Sequence, residues 1–94
     1  MRYLICYDIA DDKRRKKVSA LLEEAAFRIQ ESVFVGEFTA HELKKIKAGI
    51  KNLAHVNGEK EAVDSVHIYP LCDACWKKAW QIGSGTGLEK VIIV

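Results

Sequence analysis

Asp8 closes an apolar segment, MRYLICYDI, in a position where an unpaired carboxylate is costly unless something binds it. A hard divalent cation is one such partner. A single carboxylate does not define a Mg²⁺ site, because that ion takes one or two carboxylates together with waters and phosphate oxygens. A twofold axis near Asp8 would supply two copies, and the chemistry would then be metal-assisted phosphodiester hydrolysis. The plain alternative is a carboxylate hydrogen-bonded to neighbouring backbone. A second feature is Lys13-Arg14-Arg15-Lys16-Lys17, five consecutive cations at the start of a helical segment. The helix dipole disfavours positive charge there by about 0.3–1 kcal/mol per exposed residue. Either the run is a solvated helix face or it meets an anionic partner. Lys44, Lys47 and Lys51 recur at i, i+3 and i+7 and lay a second basic stripe along another helix. Stripes of this kind recognise nucleic-acid backbones, since each phosphate contact releases condensed counterions.

Other reactive types read more plainly. Cys72-Asp73-Ala74-Cys75 is a single CxxC pair. Tetrahedral zinc needs four ligands and no second pair follows. A redox pair would open a helix after a strand in a thioredoxin-like unit, which this context does not suggest. His67, between Val66 and Ile68, reads as the outward residue of a strand, and Tyr69, Trp76 and Trp80 as core or dimer-interface side chains.

These residues need elements to hold them. Met1–Ile9 predicts a strand with Tyr3, Ile5, Tyr7 and Ile9 on one face and Leu4, Cys6 and Asp8 on the other. Because both faces are largely apolar, the strand should be central. Asp11 or Asp12 can cap a helix running to about Ala26, with Val18, Leu21, Leu22 and Ala25 as its buried stripe. Arg28–Phe38 has strand character and is either one bent strand or a hairpin broken near Ser32. Thr39 and Glu42 form a capping-box pair for a second helix, whose stripe is Leu43, Ile46, Ile50 and Leu53. His55–Asp64 reads as a loop turning at Asn57-Gly58, and Ser65–Leu71 as a strand that Pro70 ends or confines to an edge. A turn or helical segment at Cys72–Lys77, a brief strand near Ala79–Ile82, a turn at Gly83–Gly87 and a final strand Lys90–Val94 complete the order. The pattern predicts an α+β fold with two helices on one face of a mainly antiparallel sheet. The other face would be apolar and exposed in a monomer, so a homodimer is expected.

Length and composition set the frame. Ninety-four residues make one domain, with 49% hydrophobic and 30% charged residues. A domain this small buries only roughly 60–65% of its unfolded surface, which again favours oligomerisation. Net charge is +2, from 15 Lys+Arg against 13 Asp+Glu. That figure excludes a polybasic binder on average, yet the cations are gathered in two stripes while Glu59, Glu61 and Asp64 cluster elsewhere. The longest apolar run is Tyr3–Tyr7, far short of the about twenty residues of a membrane span. Asp8, Asp11 and Asp12 interrupt any signal-peptide core. An odd count of three cysteines forms no disulfide framework, so a cytoplasmic protein without a membrane partner is expected.

The ordered set YDI, DD, the basic helix and RIQxSVFxGE resembles the CRISPR-associated family of small dimeric nucleases, which accompanies the integrase in spacer acquisition. The resemblance covers about residues 1–71, and YPLC, IG and VIIV fit the tail. It implies a ferredoxin-like β-α-β-β-α-β fold, which favours the hairpin reading, with residues 72–94 as a C-terminal dimerisation extension. It implies metal-dependent cleavage of single-stranded RNA or double-stranded DNA, with Mg²⁺ or Mn²⁺ on Asp8. Ser32 and Phe34 would shape the catalytic site. Tyr7, Arg14, Arg15, Lys17, Arg28, Lys44, Lys47 and Lys51 would meet nucleic acid, and the integrase subunit would be a partner. Glu31 departs from the family, where Tyr or Lys is common; it would either weaken binding or add a metal ligand. Rival readings are a non-catalytic DNA-binding scaffold for the integrase, a ribonuclease toxin of the same fold, and a metal carrier using the CxxC pair.

Overall fold

The first strand, β1 (Arg2–Asp8), lies in the interior of a four-stranded sheet ordered β2-β3-β1-β4, in which every neighbouring pair is antiparallel. The structure is a computed structural model that describes residues 1–54, 64–80 and 82. After β1 come α1 (Asp12–Glu23), β2 (Phe27–Gln30), β3 (Val33–Glu37), α2 (Ala40–Leu53), β4 (Ser65–Leu71) and the short α3 (Asp73–Lys77). Each crossover helix joins two strands with a third between them, so β1 separates β3 from β4 and β3 separates β1 from β2. This is the ferredoxin-like split βαβ arrangement that the family resemblance implies.

Alternation along β1 places Ile5, Tyr7 and Ile9 in the main core with Val18 and Leu22 of α1 and Leu43, Ile46 and Ile50 of α2. Phe34 and Phe38 fill the remainder, with Phe34 stacked on Tyr7 and Phe38 on Tyr3. Arg28–Phe38 is a hairpin turning through Glu31 and Ser32, with a register shift between Arg28 and Gln30. The predicted stripe of α1 is corrected at one position. The helix ends at Glu23, with Ala25 N and Ala26 N both donating to Leu22 O, so Ala25 is exposed and Ala26 packs on the core instead.

Two glycines set the layer spacing. A Cβ on Gly36 would stand 2.4 Å from Phe38 Cζ and 3.0 Å from Ala26 Cβ, and one on Gly49 would stand 2.9 Å from Leu21 Cδ2. Gly36 lets the β3–α2 connection fold Phe38 back over the strand. Gly49 lets α1 and α2 approach closely.

The opposite sheet face is covered in part by the chain itself. Trp76 of α3 is buried against Val35, with Leu4, Ile29 and Leu71 packed around it, and the Arg2 guanidinium lies 5.4 Å from its ring. Arg2 also pairs with Asp73 at 3.0 Å. Trp76 is therefore core, whereas Trp80 and Ile82 are about four-fifths exposed. Pro70 sits on the edge strand β4, as its missing N–H requires. Ala79, Trp80 and Ile82 belong to no strand, correcting the short strand expected there. The expected Asn57-Gly58 turn, Gly83–Gly87 turn and Lys90–Val94 strand lie outside the described residues. No helix among the described residues is long and apolar enough to cross a membrane.

Gly36→Ala should cost about 1–3 kcal/mol through overpacking against the buried Phe38 ring, read as a lower urea midpoint at unchanged slope. Thr39→Ala should cost about 1 kcal/mol through loss of the α2 capping box, in which Glu42 N donates to Thr39 Oγ1 and Thr39 N donates to Glu42 Oε1. The Thr39 backbone and hydroxyl hold the Glu42 carboxyl below its ordinary range, and the Arg14 N–H does the same for Asp11 at the α1 cap. Both contributions are complete above the ordinary carboxylate range and disappear as pH falls through the lowered values. Thermal melts of Glu42→Gln against wild type should therefore differ near neutrality and converge in acid.

Candidate nucleic-acid and metal site

The C-terminal end of β1 is where the functional candidates gather. Tyr7 N donates to Ser32 O at 3.1 Å, tying the β2–β3 turn to the strand end, and Asp8 pairs in register with Ser65 of β4. Asp8 follows the parity of Leu4 and Cys6 and is exposed on the sheet face away from α1 and α2. Its carboxylate has no hydrogen bond or ion pair among the described residues. The alternative of a carboxylate satisfied by nearby backbone is thus not what the structure contains. Ser32 is half-buried at the turn, and its hydroxyl also has no partner among the described residues.

Tyr7 and Phe34 are corrections. The parity that exposes Asp8 sends Tyr7 inward, where it is 5% exposed and its hydroxyl bonds Ser19 Oγ at 2.6 Å and donates to Glu31 O at 3.4 Å. Tyr7 therefore pins α1 and the turn from below and presents no surface to nucleic acid. Phe34 is fully buried beneath the Arg28 guanidinium, 5.0 Å from its carbon to the ring centre. It supports that arginine and does not line an open site.

The cation run divides by role. Arg14 makes a two-pronged pair with Asp64, Nε to Oδ2 at 2.9 Å and NH2 to Oδ1 at 3.2 Å. Asp64 is wholly buried in its side chain and also accepts from Ala10 N at 3.2 Å. The pair fastens the start of α1 to the start of β4, so the Arg14 guanidinium is structural and Asp64 is no member of a free acidic cluster. Nothing in the sequence signals a contact 50 residues apart. Arg15 bonds the Asp12 carboxylate and donates to Ile9 O at 3.2 Å, while Lys13, Lys16 and Lys17 are exposed. Asp11, Asp12 and Asp64 together offset the cost of cations at a helix start.

Arg15 and Arg28, far apart in sequence, line one basin of about 310 Å³ between α1 and the hairpin, with Lys16, Ser19, Glu23 and Glu31. Arg28 pairs with Glu23 at 2.6 Å on the rim. Glu31 falls in the same basin, which makes it a neighbour of the arginines. Asp8 does not: it opens on the other sheet face. Lys47 and Lys51 line a separate cleft of about 350 Å³ between α2 and β4, with Ser65 and His67, and Lys44 is exposed one turn earlier. His67 is exposed, stacked on Tyr69, with Nδ1 3.1 Å from the tyrosine hydroxyl. Among the described residues no three His, Cys, Asp or Glu side chains group to hold a metal.

Known proteins share this sequence and fold. The model of the CRISPR associated protein Cas2 family matches residues 1–79. The chain is 36% identical over 88 residues to the CRISPR-associated endoribonuclease Cas2 of Korarchaeum cryptofilum, spanning 90% of this chain and 87% of that one. Its fold is similar to that of Streptococcus pyogenes Cas2, with a TM-score of 0.74 at 26% identity over 88% of this chain and all of the other. A chain in a partial Cas6-RT-Cas1–Cas2 complex is similar at a TM-score of 0.63 and 35% identity, over 86% and 89% of the two chains. With the match spanning α1, the hairpin, α2, β4 and α3, the chain belongs to the CRISPR-associated Cas2 family.

Proposed function

We propose that two copies of this chain form a cytoplasmic, metal-dependent endonuclease that hydrolyses phosphodiester bonds in single-stranded RNA or double-stranded DNA during spacer acquisition. The observation that carries this reading is Asp8: an exposed carboxylate without a partner among the described residues, at the end of an interior strand of a Cas2-family fold. The endoribonuclease name of the Korarchaeum relative supports the reaction class, and the Cas1–Cas2 complex supports an integrase partner. Residues 72–94 would serve dimerisation. Within them, α3 already covers part of its own sheet, so pairing would fall to the segment beyond it.

Mg²⁺ or Mn²⁺ fits Asp8 as a half-site, since one oxygen ligand per chain plus waters and phosphate oxygens satisfies a hard cation. Bound there, the ion supplies charge neutralisation and an activated water. The chain's own residues do the rest. Arg15, Arg28 and Lys16 attract phosphates into the basin, and Lys17, Lys44, Lys47 and Lys51 extend the positive field over both helices. Phe34 and Tyr7 hold this frame from within, and Ser32 borders the strand end beside Asp8. Arg14 is spent on Asp64 and is left out of the interface. A second reading, a DNA-binding scaffold for the integrase, is favoured by the single carboxylate, since among the described residues no three His, Cys, Asp or Glu side chains group to hold a metal.

Asp8→Asn should lower cleavage of RNA and DNA in Mg²⁺ or Mn²⁺ by about a thousandfold, a loss of about 4 kcal/mol in transition-state stabilisation, with the dimer unchanged by sedimentation. Undiminished cleavage would reject the catalytic role and leave the scaffold, which expects spacer acquisition to survive the substitution. Arg15→Ala with Arg28→Ala should weaken DNA binding and reduce the slope of log K against log salt by about 2 per chain, or about 4 for the dimer.

A further inference from the structure

The CxxC pair is absorbed by neither the core nor the proposed active site. β4 ends at Leu71, Cys72 is the N-cap of α3 and Cys75 is its third residue, so the pair opens a helix directly after a strand. Both cysteines are exposed, and Cys75 N donates to Cys72 Sγ at 3.3 Å. The Cys72 sulfur thus lies against the backbone of Cys75, with a backbone N–H ready to stabilise charge on it. Trp76 and the Arg2–Asp73 pair fasten the same turn to the sheet, so the arrangement does not depend on the cysteines themselves.

We propose that Cys72 and Cys75 form a redox-active dithiol that exchanges with low-molecular-weight disulfides such as oxidised glutathione. Cys72 is the attacking sulfur. The backbone N–H of Cys75, then the Cys75 thiol, lower the Cys72 thiol below its ordinary value; donating to Cys72 and standing beside its charge raise Cys75. Cys72 thiolate attacks one sulfur of the small disulfide, whose S–S bond breaks and releases one thiolate, leaving a mixed disulfide on Cys72. Cys75 loses its proton to solvent and attacks Cys72 Sγ. The Cys72–Cys75 bond forms, and the second small thiol departs. Two protein thiols are oxidised and one small disulfide is reduced to two thiols. The closed pair bridges the N-cap and third residue of α3, fixing the direction in which the chain leaves β4. Cys6 takes no part: it is half-buried on β1, and burial pushes its thiol up.

The test uses the full chain, equilibrated anaerobically at fixed ratios of reduced to oxidised glutathione, acid-quenched, alkylated and mapped by mass spectrometry. The expected product is an internal Cys72–Cys75 disulfide that reverses when the ratio is reversed, with Trp76 fluorescence changing in step. In the reduced protein, Cys72 should alkylate at least about tenfold faster at pH 7 than Cys75 or Cys6. Cys75→Ser should trap glutathione on Cys72. Cys72→Ser, whose serine still caps α3, should trap almost none. Free thiols at both positions under every ratio, or adducts on Cys6 in preference to Cys72, would overturn the proposal. Nuclease activity is not the readout, so the result is independent of the role of Asp8.

Discussion

Because strand side chains alternate, burying Ile5, Tyr7 and Ile9 beneath the two helices forces Asp8 onto the opposite face. This parity is the constraint on which the rest of the molecule depends. Ile5 and Tyr7 contribute to a core that also needs Phe34 and Phe38, so a one-residue slip of β1 would bury a carboxylate and expose an isoleucine together. The two penalties reinforce each other, and the site is held in place by the energetics of the core. The same rule accounts for the two residues that differ from expectation. Tyr7 and Phe34 share a face with the helices, and their aromatic stack supports the basin without entering it.

The start of α1 shows how an unfavourable local sequence is made tolerable by the tertiary structure. Two of the five consecutive cations are engaged by the fold: Arg14 reaches Asp64 on the edge strand, and Arg15 reaches Asp12 and the Ile9 carbonyl. Such a pair stabilises only when both members stay together, since removing either partner leaves the other charge uncompensated in a partly buried place. The lysines, with long mobile stems, remain outside. Within one short run, Arg14 therefore belongs to the scaffold, while Arg15 and the lysines supply charge at the surface.

Most of the fold was legible because its signals are local. The Thr39–Glu42 capping box, the β1 alternation, the α2 stripe and the edge proline each follow from residues within a few positions of one another. What was not legible depends on contacts across the chain. The Arg14–Asp64 pair, the meeting of Arg15 with Arg28, and the placement of Trp76 over Val35 have no local pattern that announces them. The α1 stripe erred at Ala25 because the helix stops two residues earlier than its periodicity would allow, leaving Ala26 to pack. The candidate site is half legible: Asp8 stands out by its oddity on an apolar strand, but which arginine pairs with a buried carboxylate and which line the basin requires the tertiary structure. That Cys72 caps a helix directly after β4 is likewise visible only in the structure.

Strand order also has a temporal side. β1 is flanked by β3 on one side and by β4 on the other, and Arg2 pairs with Leu71. During synthesis at about 5–20 residues per second, β1 spends on the order of several seconds with the β4 edge open before its partner emerges. Pairing so distant in sequence slows folding, because the loop must be closed before its contacts stabilise anything. An early intermediate of β1, α1 and the β2–β3 hairpin would present the backbone N–H and C=O groups of β1 along one bare edge. The period in which this protein is most open to a second chain is thus the interval before β4 docks.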